Sequence, residues 1–384
     1  MVRKIDKPLL IISLVLFVFG LIMVLSASSM ESYMRYDASP YHYFIRQAIF
    51  MGSGFVVFIF ILLIPTKNYK GFASFLMIII SLLLFGLTVW GYSANQAQSW
   101  FQVGPFSLQP SEFAKIIIVL YLAMYYDKHS QELDNLWILI KPIIICFVLA
   151  AMVAIQPDLG TAGIIGLMSL IIFYALPMDK KCRGVFNKFF LAVFLFVVVL
   201  FAVTKGTILK TYQLERFNFL NPCDRYKQES GYQLCNSFIA FKNGGLTGQG
   251  IGKSTQKYLY LPESYTDFIF PIIVEEWGLI VGIIVIILLF IVLYRLLKIA
   301  REAANIRCSL IAYGVFSYIL LHISINLLGV MGLMPLTGVP LPFLSYGGSY
   351  MISLWVALGL SQRVAIESNV EKIRNKKRKT KKNR

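Results

Sequence analysis

The sequence contains few charged residues, few histidines and few cysteines. Asp, Glu, Lys and Arg make up 14% of the 384 residues, whereas a soluble domain carries roughly 25%. Hydrophobic residues make up 58% of the chain, more than the core of a soluble domain can bury. The three histidines and five cysteines show no metal-ligand spacing. The composition therefore excludes an ordinary soluble enzyme and indicates a protein for which lipid is the main solvent.

Apolar runs of membrane-spanning length recur along the whole chain. About 20 apolar residues cross a hydrocarbon layer of roughly 30 Å, and lipid leaves backbone groups to be satisfied internally, so these runs should be helices. We predict an all-α integral membrane protein with a single transmembrane domain over residues 1–366. The ten predicted spans are Leu9–Leu25, Phe44–Ile64, Phe72–Tyr92, Glu112–Tyr126, Trp137–Ile155, Gly160–Leu176, Phe189–Val203, Phe268–Leu297, Cys308–Val330 and Ser349–Ala365.

Lysine and arginine are concentrated in alternate connections between these spans. The other short connections nearly lack them, a bias that predicts two cytoplasmic termini. The net charge of +17 owes much to a basic tail, residues 367–384, which we expect to be disordered. Attraction to anionic lipid, or docking of a cytoplasmic partner, explains this tail better than binding to nucleic acid, which we do not expect.

One predicted outer connection, residues 205–267, is far longer than the others. We expect it to contain short helices and to be functional. Cys223 and Cys235 lie in this connection and face an oxidising compartment. The sequence leaves open whether they form a disulfide or remain two free thiols. The segment Lys242–Ser254 is rich in glycine but lacks the spacing of a nucleotide-binding loop. It could bind an anionic headgroup or simply be flexible.

Ionisable side chains at the ends of predicted spans are costly in lipid and therefore mark candidate functional positions. Glu112 and Lys115 share a helix face at the start of the fourth span, either as a structural ion pair or as part of a site. Asp158, between the fifth and sixth spans, is a helix cap or a site residue. Arg46, at the outer end of the second span, is a candidate partner for an anion.

Asp267 is the foremost catalytic candidate. It lies where the long outer connection enters the eighth span, and a carboxylate half out of water there has a raised pKa and can accept a proton. An Asp before an apolar run is also an ordinary N-cap, so both roles remain open. Glu275 lies deeper near the same helix face, although Pro271 could kink that helix. Ser345 lies in a Pro- and Gly-rich stretch of a kind tolerated at membrane depth only where it lines a cavity or is buried.

Four ordered blocks resemble the signature sequences of the SEDS family, and the resemblance spans nearly the whole chain. The blocks are Gln109–Lys115, Gln156–Gly160, Tyr260–Glu263 with Thr266–Phe270, and Leu341–Ser349. The stretch Gly252–Lys257 is more similar to FtsW, the division branch, than to RodA, the elongation branch. Tyr265 stands where that family usually has His, and Pro271 where Ala is common.

The resemblance implies a peptidoglycan glycosyltransferase that polymerises lipid II at the outer face of the cell membrane, at the division septum. Asp267 would deprotonate the acceptor 4-hydroxyl as it attacks the donor anomeric carbon with inversion. Arg46 and Lys115, with a divalent cation such as Mg or Mn as a further candidate, would stabilise the leaving pyrophosphate. Trp100 would offer its ring to a sugar or peptide stem, or lie in an interfacial aromatic belt. The other predicted substrate-binding residues are Glu112, Asp158, Glu275 and Ser345.

The resemblance further implies a class B penicillin-binding protein and other division proteins as partners. Because no separate outer domain carries a Ser-x-x-Lys nucleophile box, we expect no cross-linking activity in this chain. Three other functions remain open: a RodA-type elongation polymerase, a transporter that flips lipid II, and a scaffold that only positions a transpeptidase. The effect of removing the carboxylate of Asp267 distinguishes the transporter and the scaffold from a polymerase.

Overall fold

The computed structural model describes residues 5–94, 97–104, 106–204, 219–226 and 229–382. Almost all of its regular structure is helical, as the sequence predicts. The helices are α1 (Lys7–Tyr36), α2 (His42–Leu63), α3 (Tyr69–Trp90), α4 (Pro110–Lys128), α5 (Leu136–Ile155), α6 (Leu159–Tyr174), α7 (Lys180–Thr204), α8 (Glu229–Gly244), α9 (Ile269–Arg301), α10 (Ile306–Val330) and α11 (Gly348–Lys382).

Six of the described helices are long and apolar enough to cross a membrane, namely α1, α2, α3, α5, α9 and α10. Large apolar side chains stay exposed on them, as with Leu82 at 65% and Phe60 at 61%. Such exposure would be costly in water but is normal against lipid. The chain is therefore a helical, multi-pass membrane protein.

Helix α4 lies at the centre of the bundle and contacts α3, α10 and α11. Its buried residues include both polar and charged side chains. Small residues allow the close approach of its neighbours. A Cβ atom at Gly314 of α10 would lie only 2.4 Å from Val119 of α4, and one at Gly54 of α2 would lie 2.4 Å from Trp355 of α11. These contacts fix the helices that carry the candidate site.

The two ends of the bundle differ in chemistry. One end, called the basic end here, contains the start of α1 and the distal parts of α9 and α11. There Asp6 caps α1 and accepts a hydrogen bond of 3.1 Å from Nε of Arg295, near the end of α9. The side-chain amide of Gln362, on α11, both donates to and accepts from the backbone of Asp6, at 2.9 Å in each case. The start of α1 is thereby tied to the distal parts of α9 and α11.

At the opposite end, a small antiparallel sheet joins α3 to α4. Its strands are β1 (Tyr92–Ala94), β2 (Ala97–Val103) and β3 (Phe106–Leu108), in the order β1-β2-β3. The sequence analysis predicted no strands here. Three of the five residues of Ser99–Val103 are aromatic or β-branched, and Gly104 has a positive φ of 60° in the turn that follows. These features favour a hairpin.

The long connection before α9 contains short helical elements, as predicted. It contains α8 and a short 3₁₀ turn over Pro222–Arg225, and a disulfide joins Cys223 to Cys235. Residues 205–218 and 227–228 of this connection lie outside the described residues. The disulfide decides between the two possibilities that the sequence left open.

Helix α11 continues through Lys382, whereas the sequence analysis predicted disorder from residue 367. Lys, Arg and Glu are good helix formers, and extending an existing helix costs far less than nucleating a new one. The buried first half of α11 therefore supports the charged turns that follow it.

Candidate functional site

Asp267 lies at the end opposite the basic end, just before α9. The N-cap of α9 is Phe268, so Asp267 is not at the cap position that the sequence left open for it. Its side chain is half-buried, and Oδ1 accepts a hydrogen bond of 3.1 Å from the Thr266 hydroxyl. Its backbone carbonyl accepts a bond of 2.7 Å from the side-chain amide of Asn326 on α10. The side chain and the backbone carbonyl of Asp267 thus both accept hydrogen bonds, while the side chain remains partly exposed.

A second carboxylate lies beside the same hydroxyl. Oγ1 of Thr266 is 2.7 Å from Oε2 of Glu263 and 3.1 Å from Oδ1 of Asp267. A hydroxyl has a single proton, so it can donate to only one of the two acids at a time. The segment before α9 therefore brings two acids and a hydroxyl together.

Arg46 is close to this segment. Tyr43 of α2 packs on Tyr265 with ring centroids 4.5 Å apart and on Tyr346 at 5.1 Å, and the Tyr346 amide donates to the Tyr265 carbonyl at 2.9 Å. Burial raises the pKa of the Tyr346 phenol, and the charge and hydrogen bond of Arg46 oppose that rise. The aromatic cluster therefore places the guanidinium near the loop that carries Asp267.

Ser345 supports the backbone of the segment before α11. It is 1% exposed, and its hydroxyl accepts a bond of 2.8 Å from the Leu341 amide. Gln47 of α2 donates to the Ser345 carbonyl at 3.1 Å and accepts from the Gly347 amide at 3.2 Å. These contacts leave almost no surface of Ser345 for a substrate, in contrast to the sequence prediction.

Glu112 and Lys115 form an ion pair of 2.9 Å within the bundle, and Lys115 is fully buried. Lys115 Nζ also lies 3.0 Å from Nε2 of His322 on α10, whose Nδ1 is 3.3 Å from the Pro340 carbonyl. The geometry supports the structural interpretation of the pair and places Lys115 out of reach of a substrate phosphate. Sequence analysis did not single out His322, although an ionisable residue inside an apolar run was a usable signal.

Glu275 is fully buried and does not face the site. Its carboxylate accepts hydrogen bonds of 2.9 Å from Asn243, 2.8 Å from the Thr255 hydroxyl and 3.2 Å from the Gln256 amide, and a further one from Ser254. Glu275 therefore anchors the glycine-rich segment to α9. Its complete burial leaves no surface for the substrate-binding role that the sequence analysis predicted.

The neighbouring Glu276 also binds this segment. It pairs with Lys257 at 2.9 Å and accepts a bond of 2.7 Å from the Ser26 hydroxyl of α1. Ser254 and Lys257 have Ser-x-x-Lys spacing, but Ser254 is fully buried and Lys257 is 4% exposed. Both are engaged by carboxylates of α9, so the spacing does not create an accessible nucleophile.

Asp158 and Trp100 are the remaining predicted substrate-binding residues. Asp158 is the N-cap of α6 and accepts from the Thr161 amide at 3.0 Å, and Gln109 donates to its other oxygen at 3.3 Å. Trp100 pairs with Tyr92 in the sheet and is half-buried. The cap interpretation of Asp158 is therefore the one that the geometry supports.

Within the described part of the chain, no three His, Cys, Asp or Glu side chains are arranged to hold a metal ion. The residues around Asp267 thus do not form a metal site of their own. Magnesium is often bound through one or two carboxylates and substrate phosphates. The chemistry proposed below needs no step through a metal.

The chain is similar to known proteins over nearly its whole length. The Bacillus subtilis (strain 168) protein named probable peptidoglycan glycosyltransferase FtsW is 37% identical over 382 residues, which cover 99% of this chain and 94% of that protein. Stage V sporulation protein E of the same organism is 35% identical over 365 residues, covering 94% and 96%.

Solved structures agree in fold. A chain from a peptidoglycan synthase complex, described as coordinating polymerization and crosslinking, has a TM-score of 0.74 at 23% identity and covers 95% of this chain and 98% of that one. Thermus thermophilus RodA has a TM-score of 0.66 at 24% identity, covering 94% and 96%. The family model for cell cycle proteins of the FtsW, RodA and SpoVE type matches residues 7–370. The chain belongs to this family, as its four sequence blocks indicated.

Proposed function

We propose that this protein is a peptidoglycan glycosyltransferase that polymerises lipid II into β-1,4 glycan strands during septal cell-wall synthesis. Relatives that bear this enzyme's name are 32–37% identical over nearly the whole chain. Their FtsW names favour the division role over a RodA-type elongation role. The observation that carries the chemistry is the half-buried carboxylate of Asp267, held by Thr266 at the rim of the bundle.

Asp267 acts as the general base in this proposal. Its carboxylate takes the proton from the 4-hydroxyl of the acceptor sugar while that oxygen attacks the anomeric carbon of the donor. The bond from this carbon to the lipid pyrophosphate breaks, and the pyrophosphate leaves with the bonding electrons. One displacement inverts the anomeric centre from α to β without a covalent intermediate.

Arg46 is the cation that we assign to the leaving pyrophosphate. A guanidinium presents several donors in a fixed plane that suits phosphate oxygens. Lys115 is buried against Glu112 and cannot share this role. Lys242 and Lys253 are exposed near the same end of the molecule and could attract the anionic lipid before it binds.

The proposed topology has ten spans, formed by α1 to α7 and α9 to α11. Both termini and the basic end are cytoplasmic, and the sheet, α8 and Asp267 are outside. The distribution of Lys and Arg supports this orientation. In a background without the three free cysteines, a membrane-impermeant thiol reagent should label Lys253→Cys in intact cells but label Lys372→Cys only after lysis. The reverse pattern would overturn the orientation.

Polymerisation of labelled lipid II by the purified protein tests the role of Asp267. A general base contributes about 10²–10⁴-fold, so Asp267→Ala and Asp267→Asn should lose at least ~100-fold in rate. Asp224→Asn is the matched control, because Asp224 is an exposed carboxylate in the same connection. Full activity of both Asp267 variants would refute the proposal.

The same variants separate the rival functions. If Asp267→Asn stops glycan synthesis but leaves lipid II translocation unchanged, a transporter role does not account for the site. A scaffold that only positions a transpeptidase would tolerate the substitution, so a strain with Asp267→Ala as its only copy would grow normally. We expect that strain to fail to divide.

A class B penicillin-binding protein is the proposed cross-linking partner, with other division proteins assembled around the pair. The support is the structural relative from a complex that coordinates polymerization and crosslinking. In this chain the only Ser-x-x-Lys spacing noted among the described residues is buried, so cross-linking would need a second protein. Polymerisation should therefore be measured with and without that partner.

A further inference from the structure

Asn326 of α10 makes two hydrogen bonds that join separate parts of the chain. Its side-chain nitrogen donates to the carbonyl of Asp267 at 2.7 Å and to the carbonyl of Val339 at 2.8 Å. Both neighbours are acceptors, so the nitrogen of the amide must face them. Asn326 is only 4% exposed and cannot itself contact a bound sugar. It acts at the point where the start of α9, α10 and the segment before α11 meet.

The Asp267 carbonyl depends on this contact because the hydrogen-bond pattern of α9 begins after it. The N-cap of α9 is Phe268, whose carbonyl is the first that the helix can use. The peptide unit between Asp267 and Phe268 is therefore held by loop contacts and not by the regular helix: Asn326 binds its carbonyl, and its amide donates to the Glu263 carbonyl at 3.1 Å. A buried amide that binds its carbonyl restricts rotation of the peptide unit, and with it the direction of the Cα–Cβ bond that carries the carboxylate.

The other bond of Asn326 fixes the segment that packs against this carboxylate. A Cβ atom at Gly338 would lie 3.9 Å from Oδ2 of Asp267, so Gly338 is a direct neighbour of the acid. One helical turn from Asn326, His322 contacts the Pro340 carbonyl at 3.3 Å and Lys115 at 3.0 Å. Two side chains on one face of α10 thus hold successive carbonyls of the segment beside Asp267.

We infer that Asn326 is a positioning residue for the reaction, which sets the direction of the Asp267 carboxylate relative to the segment Gly338–Pro340. The inference rests on the proposed function, in which Asp267 is the base. Acid–base catalysis depends on the distance from base to proton, and a misplacement of about 1 Å can cost roughly 100-fold in rate. Because its side chain is buried, Asn326 makes no direct contact with the substrate, and we expect it to act mainly on kcat.

The experiment compares kcat and KM for lipid II in Asn326→Leu and Asn326→Asp. Leucine and aspartate are close to asparagine in size. Leucine cannot donate at all, and a buried aspartate facing two carbonyl oxygens would be held protonated and could donate to only one of them. Gln362→Leu is the matched control, because Gln362 is also a buried amide, 1% exposed, with two hydrogen bonds to backbone, and lies at the basic end. Thermal unfolding of each purified variant gives the loss of stability.

We expect kcat to fall roughly 10- to 100-fold in both Asn326 variants with KM nearly unchanged. The control should lose stability and keep its kcat. A kcat equal to that of the control, or a change in KM alone, would overturn the inference. So would failure of both Asn326 variants to fold, since the amide would then be needed for structure. If Asp267→Ala is inactive while Asn326→Leu is fully active, only the inference fails; if Asp267→Ala is active, the proposed function itself fails.

Discussion

Lys115 is a lysine with no exposed surface, in the middle of a membrane protein. Removing its charge and that of Glu112 from water costs several kcal/mol per ion, which is offset only when geometry and extra contacts are good. The pair distance of 2.9 Å, the contact with His322 at 3.0 Å and the Tyr318 ring at 5.5 Å provide those contacts. The pair is therefore an integral part of the packing around α4.

Breaking the pair on one side should be far worse than removing both members. Lys115→Met leaves the Glu112 carboxylate buried without a counter-charge and should cost about 3–5 kcal/mol in the free energy of unfolding. The double variant Glu112→Gln with Lys115→Met should regain much of that loss. Denaturant unfolding in detergent measures both. Equal destabilisation of the single and double variants would contradict this account.

Helix α9 is interrupted at Gly278, where φ is 84° and ψ is 167°. Near the break, the glycine-rich segment replaces the missing helical hydrogen bonds. The Leu279 amide donates to the Gly245 carbonyl at 3.0 Å, and the Gln249 amide donates to the Glu275 carbonyl at 2.9 Å. A broken helix in a membrane protein requires such replacement, because lipid offers no partner. The glycine-rich segment is thus hydrogen-bonded to α9 and is not a free loop.

Gly278→Ala should damage this element. A Cβ atom there would lie 2.3 Å from the Leu246 carbonyl oxygen, and the positive φ is unfavourable for alanine. We expect a loss of at least about 2 kcal/mol in the free energy of unfolding. Gly163→Ala in α6 is the control, because a Cβ atom at Gly163 meets nothing within 4 Å. That substitution should change stability by less than about 1 kcal/mol, in the stabilising direction.

On the scale of the whole molecule, hydrogen bonds and ion pairs between helices occur at the basic end. Glu367 of α11 accepts bonds of 2.8 Å and 2.6 Å from the amide and hydroxyl of Thr66, and pairs with Arg363 at 3.0 Å. Arg307 joins Asp127 at 3.0 Å, which ties α10 to the end of α4. These contacts hold helix ends that are distant in sequence.

Glu367 gives this end a pH dependence. Burial alone would raise the pKa of its carboxyl, but the hydrogen bonds from Thr66 and Arg363 outweigh burial and hold the pKa below its usual value of 4.5. Its contribution to stability is therefore complete above pH 4.5 and is lost as pH falls through the lower native value. The melting temperature should fall more steeply on acidification below that pH in the wild type than in Glu367→Gln. Parallel curves for the two proteins would contradict the assignment.

The sequence determined the class of the protein and its principal candidate. Long apolar runs admit only helices in lipid, and the uneven distribution of Lys and Arg predicts which helix ends share a side of the membrane. Asp267 could be found because a carboxylate at the entry to an apolar run needs an explanation, and four sequence blocks identified the family. Each of these signals is local, so no tertiary contact was needed to read it.

The tertiary structure alone decided which of the candidate polar residues are buried and which stay exposed. Glu275, Ser345 and Lys115 have the right chemistry for a site, but segments distant in sequence cover them. Sequence analysis did not single out Asn326 and His322. The role of an amide or an imidazole in an apolar helix depends on which carbonyls the packing of the chain brings beside it. Burial and hydrogen-bond partners depend on how helices pack, and a single sequence records the faces of a helix but not what lies against them.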